Sequence, residues 1–150
     1  MKNLSKIIRI TILSIISMIL FLNCKKDNNE RIPDTIIYID PLYINDPEYQ
    51  SLFKIPYSTY LVENEGYEAN GILIINLGEN NFAAYDCTCT NEVKNNCFVR
   101  LDDDSSVLAK CTCCGSKFEL FNGSVNKGPA EYPLKKYKTA FNGEYLRVYN

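Results

Sequence analysis

The chain has 150 residues and a formal net charge of −2, with seven cysteines and no histidine. The lack of histidine excludes a Ser-His-Asp triad and a mononuclear iron site built from two histidines and a carboxylate. The sequence has no basic surplus that could neutralise phosphates, so we expect no nucleic-acid partner.

The N-terminus has the pattern of a secretory signal. Basic residues precede an apolar run over 10–22, which is shorter than the roughly 20 residues that a membrane span needs. The run ends close to Cys24, and this arrangement resembles the lipobox of bacterial lipoproteins, in which the cysteine carries the lipid. We therefore predict a signal peptide over 1–23 and an exported chain that is anchored to a membrane through Cys24. An uncleaved membrane anchor and a signal cleaved elsewhere are the alternatives, and both also export the chain.

Residues 24–32 are charged and rich in asparagine, which is typical of a tether. After them, short runs of β-branched and aromatic residues alternate with Gly, Pro, Asn and Asp, which predicts an all-β domain over 33–150. One short helix is expected over 47–53, with Asp46 as its N-cap. Strands are predicted over 36–39, 60–63, 71–76, 82–86, 98–101, 107–110, 118–120, 137–141 and 145–149.

Two pairs of these strands are predicted to form hairpins. Asn142-Gly143 separates the last two strands, and both residue types tolerate the positive φ of a tight turn. The segment 102–106, which is Asp-Asp-Asp-Ser-Ser, separates the two strands that precede the second group of cysteines.

The six cysteines other than Cys24 form two groups, one before and one after the hairpin whose turn is the segment 102–106. Both groups can therefore converge on one end of a small β fold. They are Cys87, Cys89 and Cys97 in the first group, and Cys111, Cys113 and Cys114 in the second. Cys111 and Cys114 have Cys-x-x-Cys spacing. A tight turn with this spacing aims both sulfurs at one metal centre.

The residues from Cys111 onward read Cys-Thr-Cys-Cys-Gly-Ser-Lys-Phe, and Gly123, Gly-Pro-Ala at 128–130 and Pro-Leu at 133–134 follow. This segment resembles the second cluster-binding box of Rieske [2Fe–2S] proteins, which reads Cys-Pro-x-His-Gly-Ser-x-Phe/Tyr before a Gly-Pro-Ala segment. The resemblance implies an all-β, Rieske-like domain of antiparallel sheets, with two cysteine-bearing loops at one tip.

The stretch 82–89 resembles the strand that leads into the first Rieske box, and this makes Cys89 the equivalent of the first-box cysteine. The family's two histidine positions correspond to Asn91 and Cys114. Rieske centres bind one iron through two cysteines and the other through two histidines. The sequence therefore excludes an authentic Rieske centre.

Three interpretations of the cysteines remain open. In the first, Cys89, Cys97, Cys111 and Cys114 ligate a [2Fe–2S] cluster, and the protein is a one-electron carrier rather than a catalyst. In the second, the same four thiolates hold a structural Zn²⁺. In the third, the cysteines form disulfides, and the domain is a non-enzymatic binding lipoprotein without a cluster. The expected partners are the membrane, through the lipid, and an unidentified redox or surface partner.

Cys87 and Cys113 are candidates for a disulfide if Cys97 is a ligand. The resemblance implies an alternative pairing of Cys97 with Cys113, because cytochrome-bc-type Rieske proteins have a disulfide between comparable places. It also implies that Gly115 and Ser116 donate hydrogen bonds to sulfurs of the centre.

Overall fold

The computed structural model describes residues 32–93 and 96–150. The predicted signal peptide over 1–23, the predicted lipidation site Cys24 and all of the tether except residue 32 lie outside the described residues. Among the residues that are described, no helix is both long enough and apolar enough to cross a membrane.

The described chain folds into two antiparallel sheets, which confirms the prediction of an all-β fold. The six-stranded sheet has the order β1-β10-β9-β4-β3-β2, and the four-stranded sheet has the order β5-β6-β7-β8. The strands are β1 (Leu42–Tyr43), β2 (Thr59–Val62), β3 (Ile72–Gly78), β4 (Asn81–Asp86), β5 (Val99–Asp102), β6 (Ser105–Cys111), β7 (Lys117–Glu119), β8 (Val125–Lys127), β9 (Lys136–Phe141) and β10 (Tyr145–Tyr149).

The centre of the six-stranded sheet is buried on both faces. In β3, Leu73 and Ile75 belong to a core between the two sheets, whereas Ile72 and Ile74 belong to a second core on the opposite face. This division follows from the alternation of side chains along a strand. The strand therefore reads as a continuous apolar run, which is the pattern of a strand buried on both sides.

The helix predicted over 47–53 is confirmed, and a separate 3-10 turn lies over Tyr67–Ala69. A 3-10 turn over Pro47–Tyr49 leads into the α-helix α1 (Gln50–Lys54). The Asp46 side chain accepts a hydrogen bond of 3.0 Å from the backbone N–H of Glu48, as expected of an N-cap. Leu52 is fully buried in the second core, so this helix covers that face of the six-stranded sheet.

The prediction of a strand over 36–39 is wrong. This segment forms no strand; Ile37 and Ile39 pack against the second core while Ile36 and Tyr38 are exposed. The strand that pairs with the edge of β10 is β1. The prediction also missed β1, which has only two residues, and β8, whose sequence Val-Asn-Lys has a single apolar residue.

Both predicted hairpins are confirmed. In the turn between β9 and β10, the Asn142 side chain accepts hydrogen bonds of 2.9 Å from the backbone N–H groups of Glu144 and Tyr145. In the turn between β5 and β6, Asp102 pairs with Ser105 in the ladder. Asp102 also forms an ion pair with Lys117, which links this hairpin to β7.

Candidate metal centre

The two ends of the first cysteine loop pair with each other as a short antiparallel ribbon. Thr88 and Phe98 form an isolated β-bridge. On either side of it, the Cys89 N–H donates to the carbonyl of Cys97 at 2.9 Å, and the Val99 N–H donates to the carbonyl of Cys87 at 2.6 Å. This register places Cys89 directly opposite Cys97, and residues in such a pair project their side chains from the same face.

The second cysteine loop is a tight turn between β6 and β7. Cys111 is the last residue of β6 and pairs with Val99 of β5, so the sheet fixes its position. The turn is closed by the Cys111 N–H, which donates to the carbonyl of Ser116 at 2.8 Å. The backbone N–H of Cys114 points toward the Cys111 sulfur at 3.5 Å. The turn therefore brings the two sulfurs of the Cys-x-x-Cys motif to one side.

Three sulfurs from the two loops meet at one point. The Sγ atoms of Cys89, Cys111 and Cys114 all lie within 4.8 Å of one another, and those of Cys89 and Cys114 are 3.6 Å apart. Cys89 and Cys111 are buried, whereas Cys114 is partly exposed. Below, these three residues are called the sulfur group. Its existence confirms that the two loops converge on one site, and such a set of soft donors could bind a metal.

The thiols of the sulfur group differ in how readily they ionise. Burial raises the pKa of the Cys89 thiol to about 12, and its contact with Cys111 adds to this effect. Burial also opposes ionisation of Cys114, but hydrogen bonds with the Ser116 hydroxyl and backbone and with the thiols of Cys111 and Cys89 together lower the pKa of Cys114. A metal must displace the protons of these thiols, so binding at this site depends on pH.

Ser116 links the second loop to the segment that follows β8. Its hydroxyl lies 3.0 Å from the Sγ of Cys114 and accepts a hydrogen bond of 2.9 Å from the Ala130 N–H. With its oxygen occupied by Ala130, the hydroxyl has its proton available for the sulfur. Gly115 differs from the prediction, because its N–H donates to the carbonyl of Cys111 at 3.2 Å. That glycine shapes the turn instead of contacting a sulfur.

Cys97 and Cys113 form a disulfide with an S–S distance of 2.10 Å. In this structure Cys97 is therefore not part of the sulfur group, which corrects the prediction of four converging thiols. The pairing of Cys87 with Cys113 is wrong for the same reason, and the pairing implied by the Rieske resemblance is the one found. Cys87 is a free thiol inside the core between the sheets, where burial raises its pKa to about 12.

Sequence reasoning missed Asp86, which holds the base of the first loop. This buried carboxylate accepts hydrogen bonds from the backbone N–H groups of Tyr67 at 2.7 Å and Thr88 at 2.8 Å. It also accepts one of 2.7 Å from the Tyr137 hydroxyl. The available signal was an acidic residue at the end of an apolar strand, directly before the first cysteine. Such a residue is rarely buried unless several donors satisfy it.

Comparison with solved structures identifies the fold. The cyanobacterial plasma membrane Rieske protein PetC3 from Synechocystis PCC 6803 matches 75% of this chain and 100% of its own length, with 21% identity and a TM-score of 0.54. This match shows a Rieske-like fold. A complex of reduced oxygenase and oxidised ferredoxin in carbazole 1,9a-dioxygenase matches 73% of this chain and 99% of its own, with 17% identity and a TM-score of 0.49.

The ferredoxin of carbazole 1,9a-dioxygenase from Nocardioides aromaticivorans IC177 matches 74% of this chain and 98% of its own, with 12% identity and a TM-score of 0.47. No protein-family model and no curated protein matches the sequence.

Proposed function

We propose that this Rieske-like domain is a one-electron carrier that holds a [2Fe–2S] cluster on cysteine thiolates, anchored to a bacterial membrane by a lipid on Cys24. The observation that carries the proposal is the sulfur group itself. Thiols from two separate loops converge on one site of a Rieske-like fold. The sequence resemblance makes Cys114 the counterpart of one of that family's histidines.

The residues of the sulfur group fit an iron–sulfur centre as three of its ligands. Thiolates are the usual ligands of such clusters, and the three sulfurs are close enough to share one centre. When bound, a [2Fe–2S] cluster supplies reversible one-electron chemistry. Because thiolates replace neutral imidazoles, we expect a low reduction potential, near the value of about −400 mV that is typical of plant-type ferredoxins.

The surrounding residues would control access and charge. Cys89 and Cys111 are buried and keep water from one side of the site, while the partly exposed Cys114 marks the side on which an electron could enter or leave. The Ser116 hydroxyl donates toward the Cys114 sulfur and stabilises its negative charge. Hydrogen bonds of this kind raise the potential of a thiolate-ligated centre.

The membrane part of the proposal is supported by the sequence pattern at the N-terminus. A basic start, an apolar run over 10–22 and Cys24 together predict export and lipidation. The tether over 24–32 would keep the domain within reach of the membrane surface. Mass spectrometry of the membrane fraction tests this: a diacylglyceryl mass on a chain that begins at residue 24 is expected, and an unmodified Cys24 would contradict it.

Anaerobic reconstitution with iron and sulfide tests the electron-carrier proposal. We expect a brown protein with visible charge-transfer bands that bleach on one-electron reduction. The Cys111→Ser variant should lose most of the colour, whereas the matched variant Cys87→Ser, outside the sulfur group, should keep it. Wild-type protein that remains colourless and free of iron after its disulfide has been reduced would contradict the proposal.

Two observations favour other functions. The sulfur group is equally a donor set for a structural Zn²⁺. The Cys97–Cys113 disulfide is typical of an exported, disulfide-stabilised domain that binds a partner without any metal. Elemental analysis separates the cases: stoichiometric zinc in protein purified from cells indicates the first, and protein that takes up neither zinc nor iron even after its disulfide is reduced indicates the second.

A further inference from the structure

The sulfur group has one ligand fewer than a four-thiolate centre requires. Closed zinc sites and [2Fe–2S] clusters both take four protein ligands, and within the described residues three thiols converge. Of the other three cysteines of the two groups, Cys113 is exposed. Cys87 is buried, but its sulfur lies beside Gly71 of the larger sheet. Cys97 is 3% exposed and belongs to the same core as the group, so the buried half of the disulfide is the candidate for the missing ligand.

The ribbon at the base of the first loop places Cys97 beside the sulfur group. The Thr88–Phe98 bridge and the hydrogen bond from the Cys89 N–H to the Cys97 carbonyl set these two cysteines directly opposite each other. Directly opposed residues in an antiparallel pair have Cβ atoms about 4.5–5.5 Å apart and share one face. Once the disulfide is open, a change of side-chain rotamer at Cys97 would turn its sulfur from Cys113 toward Cys89, which lies on the same face.

The two loops do not need the disulfide to stay together. The backbone N–H and the hydroxyl of Thr112 both donate to the carbonyl of Phe98, at 3.0 and 3.1 Å. The ladder pair between Val99 and Cys111 joins the same two loops one step further on. Opening the disulfide therefore leaves the loops in place and changes only which partner the Cys97 sulfur has.

We propose that the Cys97–Cys113 disulfide is a redox gate on the metal centre, and that its reduction releases Cys97 as the fourth thiolate ligand. This inference rests on the proposed function, since it completes the ligand set of the same site. The reductant is a protein dithiol. One of its thiolates attacks the Cys113 sulfur, which is the exposed one, and the S–S bond breaks with Cys97 as the leaving thiolate.

The second thiol of the reductant then attacks the mixed disulfide and releases Cys113. The dithiol becomes a disulfide, and the two electrons and two protons that it loses appear on Cys97 and Cys113, until a metal displaces the proton from Cys97. The asymmetry of exposure gives the step its direction, because the released buried thiolate lies at the metal site. In the oxidised protein the site has three thiols and binds metal weakly.

Cobalt(II) titration under anaerobic conditions tests this without requiring a cluster. We expect oxidised wild-type protein to bind Co²⁺ at least tenfold more weakly than protein treated with a phosphine reductant. Only the reduced protein should show the intense visible bands of tetrahedral Co²⁺, together with sulfur-to-cobalt charge-transfer absorption as strong as four thiolate ligands produce. This comparison uses one sequence, so no substitution can disturb the fold.

Two matched variants identify the ligand. Cys97→Ser and Cys113→Ser both abolish the disulfide, so they lose the same cross-link. We expect Cys113→Ser to bind Co²⁺ like reduced wild-type protein without any reductant, and Cys97→Ser to bind weakly in every condition. Equal affinities and spectra for the two variants, or no effect of reduction on wild-type protein, would overturn the inference.

The outcome is separable from that of the proposed function. If the reconstituted protein is brown and its affinity for Co²⁺ is the same with the disulfide oxidised and reduced, the gate is overturned and the electron carrier stands. A protein that never acquires iron, but that after reduction binds Co²⁺ through four thiolates including Cys97, would overturn the electron carrier and support the gate.

Discussion

The hydroxyl of Tyr137, on β9, donates a hydrogen bond of 2.7 Å to the carboxylate of Asp86, at the end of β4. Both residues are buried, and Asp86 is followed directly by the first cysteine loop. The pair therefore connects the centre of the six-stranded sheet to the base of the candidate metal site.

Removal of this hydroxyl should destabilise the fold. Tyr137→Phe takes one donor from a buried carboxylate, and leaving such a group short of a partner costs about 1–3 kcal/mol. Urea denaturation measures the change in the free energy of unfolding. Tyr149→Phe, on the exposed end of β10, is the control and should stay within about 0.5 kcal/mol of wild type. A loss no larger than that of the control would show that Asp86 is satisfied without Tyr137.

Tyr85 should behave in the opposite way. Its hydroxyl is buried and has no hydrogen-bond partner among residues 32–93 and 96–150, so Tyr85→Phe removes an unsatisfied polar group. We expect unchanged stability or a gain of up to about 1 kcal/mol near neutral pH. A loss above 1 kcal/mol would contradict this.

The same residue predicts a pH dependence. Burial raises the pKa of Tyr85 to about 12, whereas in the unfolded chain a tyrosine ionises near its ordinary pKa of about 10. Between these values the unfolded chain has lost the proton and the folded protein has kept it, so the free energy of unfolding falls as the pH rises from about 10 toward 12. Tyr85→Phe should lose less stability than wild type over that interval, and identical curves would disprove the assignment.

Two glycines that both have a positive φ should differ in their tolerance to alanine. Gly123 and Gly143 have φ values of +79° and +94°. A methyl group at Gly123 would lie 2.7 Å from a ring carbon of Tyr85, whereas a methyl group at Gly143 would have no heavy atom of the described residues within 4 Å. Gly143→Ala should cost only the left-handed strain of about 1–2 kcal/mol. Gly123→Ala adds a steric clash of about 1–3 kcal/mol. Thermal denaturation of the two variants checks the difference, and equal melting temperatures would contradict it.

The free thiols of the metal-free protein should react in a fixed order. Cys114 is partly exposed and has a lowered pKa, while Cys87 and Cys89 are buried with pKa values raised to about 12. The thiolate is the reactive form, so limited iodoacetamide treatment at pH 8 should modify Cys114 first. Bound Zn²⁺ should then protect Cys114. Peptide mass spectrometry reads the order, and early modification of Cys87 would contradict it.

The sequence predicted the parts of the site that short-range patterns determine. The spacing of Cys111 and Cys114 and the hairpin before them indicated correctly that two loops would meet. The partner of Cys97 could not be derived from spacing, because it depends on the register between residues 88 and 98. Asp86 was missed for a related reason, since its donors come from segments distant in sequence.

The β3–β4 hairpin lines both cores, with alternate residues facing each. The cysteine-bearing tip consequently shares its interior with the larger sheet: Val99 and Phe118 belong to the same core as Leu73 and Tyr85. A fragment cut down to residues 87–134 would expose that apolar surface and collapse or aggregate. Anyone who wishes to graft this cysteine tip onto another scaffold must carry the hairpin along with it.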